Sequence, residues 1–188
     1  MEAFLVSALV VAIGEIGDKT QLLALILAAR FRRPVPIIIG ILCATLLNHA
    51  LAGLLGAWVR EAISPQVLRW GLGLSFLAIA AWALKPDELD DKPVAVGKYG
   101  AFAVTFAAFF VAEIGDKTQI ATVALAARFD SLAAVVAGTT VGMLIADVPA
   151  VFLADRASTK IPFKAIRFVA AALFAAMGIA ALAGFSFG

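Results

Sequence analysis

The sequence predicts an all-α integral membrane protein in which six transmembrane helices form two inverted three-helix repeats. Three observations lead to this prediction. Hydrophobic residues make up 63% of the 188 positions, apolar runs of membrane-spanning length follow one another along the chain, and one polar heptapeptide occurs twice. The mean hydropathy is +1.03, whereas soluble domains are only roughly 45 to 50% apolar. The lipid bilayer is therefore the first expected partner.

Six apolar runs are each long enough to form a transmembrane helix, which needs about 20 residues to cross a hydrocarbon core of about 30 Å. Together they occupy nearly the whole chain, so almost nothing is left for a soluble domain. The runs are Phe4–Ala28, Pro36–Val59, Gln66–Leu84, Ala101–Ala127, Leu132–Ala154 and Phe163–Phe185.

The heptapeptide Glu-Ile-Gly-Asp-Lys-Thr-Gln lies inside the first run, at Glu15–Gln21, and inside the fourth, at Glu113–Gln119. A carboxylate near the middle of a bilayer costs roughly 2.5 to 3.5 kcal/mol, so acids at this depth indicate a function or a charge partner. On one continuous helix, positions 15, 18 and 19 share a face, and the equivalent positions 113, 116 and 117 of the second copy also share a face. The candidate metal ligands are Glu15, Asp18, Glu113 and Asp116.

The whole chain repeats with a shift of 98 positions, the separation of Glu15 and Glu113. The match continues beyond the motif, since Leu27–Phe31 aligns with Leu125–Phe129. Because each repeat crosses the membrane three times, the second repeat enters the membrane from the opposite side and is inverted. Inverted three-helix repeats recur in secondary transporters that have a site at the membrane midplane. We expect a first repeat at 1–84, a polar cytoplasmic linker at 85–98 and a second repeat at 99–188.

Basic residues predict the orientation, because Lys and Arg in short loops favour the cytoplasmic side. Loops two and four contain only Arg60, Arg69 and Arg128. Both termini are therefore expected outside the cell membrane, and the net charge of +2 gives no reason to expect a nucleic acid partner. The basic residues of loops one, three and five are Arg30, Arg32, Arg33, Lys85, Lys92, Lys98, Arg156, Lys160, Lys164 and Arg167.

Two motif faces turned toward each other would gather four carboxylates and two ammonium groups, with a formal charge of minus two. Oxygen ligands without His or Cys pairs favour a hard divalent cation such as Mn, Ca or Mg. Without the ion, the acids would pair with Lys19 and Lys117 or bind protons, so an arriving cation would release protons. These features predict a cation/proton antiporter driven by an ion gradient. Supporting ligands would be Thr20, Gln21, Thr118 and Gln119.

The second span of each repeat contains one further candidate polar residue. The shift of 98 positions aligns His49 of the first repeat with Asp147 of the second. His49 is either an interhelical hydrogen-bond partner or a proton carrier. Asp147 is a candidate supporting ligand or proton relay. Gly17 and Gly115 allow either close helix packing or a local helix break that exposes carbonyl groups.

The doubled Glu-x-Gly-Asp-Lys-Thr motif, at Glu15–Thr20 and Glu113–Thr118, resembles uncharacterised protein family 0016, also called the transmembrane protein 165 family. The resemblance covers the whole chain and both motifs are complete. It implies a cation exchanger of the inner membrane, with bacterial relatives that export manganese and eukaryotic relatives that move Mn and Ca into the Golgi in exchange for protons. It also implies that the four motif acids bind the cation.

The resulting hypothesis is export of Mn²⁺ from the cytoplasm in exchange for protons, with Ca²⁺ as the nearest rival substrate. It involves no enzymatic reaction and no cofactor other than the transported ion. Two alternatives are an exporter of small organic cations or amino acids, and a membrane scaffold or assembly factor whose Glu–Lys pairs join helices. A homo-oligomer is an open alternative to a monomer.

Overall fold

The computed structural model describes residues 1–85, 100–153 and 163–184, without the side chains of Phe163 and Lys164. The predicted linker at 85–98, apart from Lys85, and most of loop five therefore lie outside the described residues, as does the end of the last predicted span. Within the described ranges the chain forms eight α-helices. They are α1 (Glu2–Glu15), α2 (Lys19–Phe31), α3 (Pro34–Ala62), α4 (Pro65–Ala83), α5 (Ala101–Glu113), α6 (Lys117–Arg128), α7 (Leu132–Leu153) and α8 (Phe163–Leu182).

Among the described residues, four helices are long and apolar enough to cross a membrane, namely α3, α4, α7 and the Ala165–Leu182 part of α8. Each corresponds to one predicted span, with ends within three residues of the prediction where they are described. Large apolar side chains such as Leu54, Trp58 and Phe152 are exposed along these helices. An exterior of this composition fits contact with lipid chains, and the protein is a multi-pass membrane protein.

The first and fourth predicted spans are not continuous helices. α1 ends at Glu15 and α2 begins at Lys19, while α5 ends at Glu113 and α6 begins at Lys117. The prediction that the acids of each motif share one face of an unbroken helix is therefore wrong. It failed because the wheel argument assumed helical geometry across the glycine, whereas Gly17 and Gly115 have φ angles of 85° and 75°.

The helices pack in pairs that cross between the two halves of the chain. α1 packs against α7, α5 against α3, and α4 against α8. The stacked rings of Phe76 and Phe174, whose centroids are 6.5 Å apart, join α4 to α8. These two phenylalanines are 98 positions apart in the sequence, so equivalent side chains of the two halves meet.

Two glycines at equivalent positions of the two halves allow close helix contacts. A Cβ atom on Gly138 of α7 would overlap the Phe4 carbonyl oxygen of α1, and one on Gly40 of α3 would lie 3.0 Å from the Phe102 carbonyl oxygen of α5. Gly40 and Gly138 are 98 positions apart, as are Phe4 and Phe102. Equivalent positions therefore make the same contact in both halves, and together these contacts fix how deeply α1 and α5, which carry the motif glutamates, enter the bundle.

We expect Gly138→Ala to destabilise the protein, because the new methyl group would meet rigid backbone and overpacking costs typically 1 to 3 kcal/mol. Gly71→Ala is the matched control, since a Cβ at this helical position has no atom within 4 Å among the described residues. It should leave stability unchanged or raise it by up to about 1 kcal/mol through helix propensity. Thermal unfolding in detergent measures both. Equal midpoints for the two variants would contradict the proposed contact.

Candidate functional site

Each motif builds a turn between two helices. In the first copy the Asp18 N–H donates to the Glu15 carbonyl oxygen at 3.0 Å, and Gly17 takes the left-handed conformation that glycine adopts without strain. Asp18 then caps α2, since its Oδ1 accepts from the Lys19 N–H at 2.6 Å. Aspartate at this position satisfies one of the free N–H groups at a helix N-terminus.

The motif glutamines close the turns from the other side. Gly17 N–H donates to Gln21 Oε1 at 3.0 Å, and Gly115 N–H donates to Gln119 Oε1 at 2.8 Å. An Asp cap followed three residues later by Gln is a variant of the capping box, which ties the start of a helix to the preceding chain. The break is thus encoded within the motif itself.

Two ion pairs cross between the copies of the motif. Lys117 Nζ lies 2.6 Å from Asp18 Oδ2, and Lys19 Nζ lies 2.9 Å from Asp116 Oδ1. The Lys117 side chain is only 4% exposed, whereas that of Lys19 is 25% exposed. The lysine of each motif therefore compensates the negative charge of the aspartate of the other motif. These crossed ion pairs join the N-terminal ends of α2 and α6.

The two glutamates come together behind these ion pairs. One carboxylate oxygen from each of Glu15, Glu113 and Asp116 lies within 4.8 Å of the other two, and all three residues are buried. Asp18 is outside this group, although the sequence places it beside the other three acids. The structure thus brings three of the four candidate ligands together, while the fourth, Asp18, forms an ion pair with Lys117.

Each glutamate uses only one of its oxygens within the protein. Thr20 Oγ1 donates to Glu15 Oε2 at 2.6 Å, and Thr118 Oγ1 donates to Glu113 Oε2 at 3.3 Å. Oε1 of either glutamate has no hydrogen-bond partner among the described residues. A buried carboxylate oxygen without a donor is costly unless a proton or a cation satisfies it. The motif threonines orient the glutamates and leave these oxygens available.

Helices α3 and α7 contribute the polar groups that surround the two motifs. Gln21 Nε2 donates to the Ala146 carbonyl oxygen at 3.0 Å, and Gln119 Nε2 donates to Asn48 Oδ1 at 3.4 Å. Positions 48 and 146 are again 98 apart. The adjacent residues His49 and Asp147 are fully buried, and neither ring nitrogen nor carboxylate oxygen has a partner within the described part of the chain.

These donors suit a hard cation. The cluster consists of carboxylate oxygens, and the hydroxyl oxygens of Thr20 and Thr118 lie beside it. Such oxygens are typical ligands of Mg²⁺, Ca²⁺ and Mn²⁺. The C-terminal ends of α1 and α5, where Glu15 and Glu113 lie, add partial negative charge. The arrangement therefore offers oxygen ligands to a divalent cation, and Oε1 of Glu15 and of Glu113 have no hydrogen-bond partner among the described residues.

Comparison with known proteins agrees with this chemistry. The family model described as "Divalent cation/proton antiporter GDT1" matches residues 3–91 and 101–186. The chain belongs to this family. The resemblance predicted from the motif is thereby confirmed, and so is the expectation of a transporter rather than an enzyme.

Relatives extend over most of the chain. A Vibrio cholerae protein described as a "Putative manganese exporter" is 50% identical over 181 residues, which cover 96% of this chain and 90% of that protein. GDT1-like protein sll0615 of Synechocystis is 32% identical over 182 residues, covering 85% and 88% respectively. GDT1-like protein 3 of Oryza sativa is 28% identical over 200 residues, covering 92% and 71%. No solved structure matches the chain.

Sequence reasoning missed one charged residue near the site. Arg167 was assigned to loop five, but it lies in α8 and lines a small cavity together with Asp18 and Lys117. The assignment was wrong because a charge near the start of a span reads as a loop residue. One signal was available, because the predicted run that begins at Phe163 already included Arg167.

Removing Lys117 should cost more stability than removing Lys19. Loss of one partner of a buried ion pair typically costs about 3 to 5 kcal/mol, because the remaining charge is uncompensated, and exposure reduces that cost. We therefore expect Lys117→Met to lower the thermal unfolding midpoint in detergent more than Lys19→Met. In addition, Asp18→Asn combined with Lys117→Met should cost less than the sum of the single changes. Additive effects would contradict the pairing.

Proposed function

We propose that the chain exports Mn²⁺ from the cytoplasm across the cell's inner membrane in exchange for protons. The observation that carries this proposal is the cluster of Glu15, Glu113 and Asp116, with a free Oε1 on each glutamate. The family supplies the transporter class, and the geometry supports a divalent cation as the bound species. The three clustered acids are the proposed main ligands.

The proposed architecture is six membrane passes in two inverted repeats, with α1–α2 and α5–α6 as broken spans. Its support is that contacts recur at positions 98 apart: the glycine contacts of α1 and α5, the glutamine anchors, and the crossed Lys–Asp pairs. Broken helices that meet near the midplane are a common way to build ion sites in transporters. Rocking of the two halves would then expose the site to each side in turn.

Proton coupling follows from the charges that surround the cluster. Without a cation, Lys19 and Lys117 compensate the aspartates, but Oε1 of both glutamates would still require a proton or a positive charge. An entering divalent ion therefore replaces protons on the glutamates and weakens the lysine pairs. Release of the divalent ion on the far side of the membrane then allows protons to bind to the glutamates again. Asp147 on α7 and His49 on α3 are buried and have no hydrogen-bond partner among the described residues. They are the proposed proton relay, and Asp147 is also a proposed supporting ligand.

Manganese is the proposed cargo because the Vibrio cholerae relative carries that name at 50% identity. The oxygen donors would also accept Ca²⁺, which remains the rival substrate. Export as the direction of transport is taken from the resemblance to the family and from the description of the Vibrio cholerae relative as an exporter. The orientation, with both termini outside, rests on the excess of Lys and Arg in the odd-numbered loops.

We expect Glu15→Gln and Asp116→Asn to abolish Mn²⁺-dependent proton movement in proteoliposomes, because each removes an acidic ligand of the cluster. A fall of at least 100-fold in initial rate would correspond to about 3 kcal/mol. Glu61→Gln is the control, since this acid is exposed near the end of α3 and should transport normally. The measurement is the signal of an internal pH dye after addition of Mn²⁺. Wild-type rates in both site variants would remove the proposed site.

The rival functions can be separated with the same protein. A scaffold predicts that Mn²⁺ leaves the thermal unfolding midpoint unchanged, whereas a ligand bound only by the folded state must raise it. An organic-cation exporter predicts that tetraalkylammonium ions or basic amino acids compete with Mn²⁺ for transport. We expect Mn²⁺ to raise the midpoint of the wild type but not of Glu15→Gln, and only divalent metals to compete.

A further inference from the structure

A small cavity lies against the break of the first motif. Its lining residues include Gly14 and Gly17 next to the break, Ala83 of α4 and Arg167 of α8. Asp18 also contributes to the wall, and the free volume is about 10 Å³. That space is about what one water molecule needs, so a single water or a largely dehydrated ion is the largest occupant in this conformation.

Three charged side chains line this cavity. Asp18 and Lys117 are the buried ion pair of the site, and Arg167 is half-buried. The guanidinium group keeps its positive charge at every physiological pH. A divalent cation that reaches Asp18 through this cavity must therefore approach Lys117 and a second, permanent positive charge.

The cavity faces the predicted cytoplasmic side. Ala83 is the last residue of α4, which leads into loop three, and Arg167 lies near the start of α8, which follows loop five. Both loops are among those predicted to be cytoplasmic from their Lys and Arg content. Under the proposed orientation, Ala83 and Arg167 therefore line the cavity from the cytoplasmic ends of α4 and α8.

The equivalent arginine of the other half has different surroundings. Arg69 lies 98 positions before Arg167, but it packs beside Gly184 at the opposite end of α8, and its guanidinium carbon is 5.8 Å from the Trp70 ring. It does not line the cavity at the motif. The two arginines thus share a repeat position and differ in their relation to the site, which makes Arg69 a matched control.

We propose that Arg167 sets the cytoplasmic affinity for the transported cation by competing with it for the negative charge of Asp18. This inference rests on the proposed function and deepens it. A tethered cation beside the entry route raises the concentration of metal needed to fill the site. Transport then begins only when the ion is abundant in the cytoplasm, which is the behaviour expected of a transporter that removes excess metal.

The test measures Mn²⁺ uptake into inside-out membrane vesicles, in which the cytoplasmic face is accessible. Arg167→Gln removes the charge. Arg167→Met also removes the charge but retains an apolar side chain for packing, and Arg167→Lys keeps the charge. We expect the first two to lower KM for Mn²⁺ roughly tenfold, which corresponds to about 1.4 kcal/mol, because a positive charge near the site no longer opposes the cation. Arg167→Lys and Arg69→Gln should keep KM within about twofold of the wild type.

Each outcome decides between explanations. A KM that is unchanged or raised in both neutral variants overturns the proposal, and so does a low KM in Arg167→Lys. A purely structural role would lower kcat or the amount of folded protein in all Arg167 variants without lowering KM. If wild-type vesicles show no Mn²⁺ uptake, the proposed function fails instead. Should the Gln variant not fold, the Met and Lys variants still give the comparison of charge.

Discussion

Charge compensation inside an apolar bundle is the constraint on which this structure depends. Four motif carboxylates, and Asp147 beside them, are almost completely buried among helices whose outer surfaces are apolar. Water cannot solvate these groups, so each must find a donor, a proton or a cation. The crossed pairs Lys117–Asp18 and Lys19–Asp116 satisfy the aspartates and at the same time join the two halves of the chain. The glutamates remain incompletely satisfied, and this is the chemical basis of the proposed exchange.

The helix breaks turn this constraint into a site. An unbroken helix would use its backbone groups internally and would space the acids along one face. The break at Gly17 instead places a helix C-terminus, with Glu15, next to a helix N-terminus capped by Asp18. The second motif does the same. Backbone ends with opposite partial charges therefore meet at the cluster, and the glutamines fasten each turn to α3 and α7.

The acids were predictable because their cost in a membrane is large and independent of the details of packing. The break was less visible, although its signals are local: a glycine, an aspartate cap, and a glutamine three residues later. Those signals were outweighed by the long apolar run on both sides, which favours an uninterrupted helix when hydrophobicity alone is considered. The position of Arg167 was missed for a related reason, since a charge near a span end is read as a loop residue.

The sequence by itself determined the membrane class, the repeat of 98 positions, the family and the candidate acids, because hydrophobicity, identity and the cost of buried charge are properties of residues. Only the tertiary structure decided which acids meet and which lysine faces which aspartate. It also decided that Asp18 is held by Lys117 while Glu15, Glu113 and Asp116 approach one another. These choices depend on how deeply α1 and α5 pack against α7 and α3. Contacts between residues far apart in the sequence, Gly138 with Phe4 and Gly40 with Phe102, set that depth, and a linear pattern carries no measure of it.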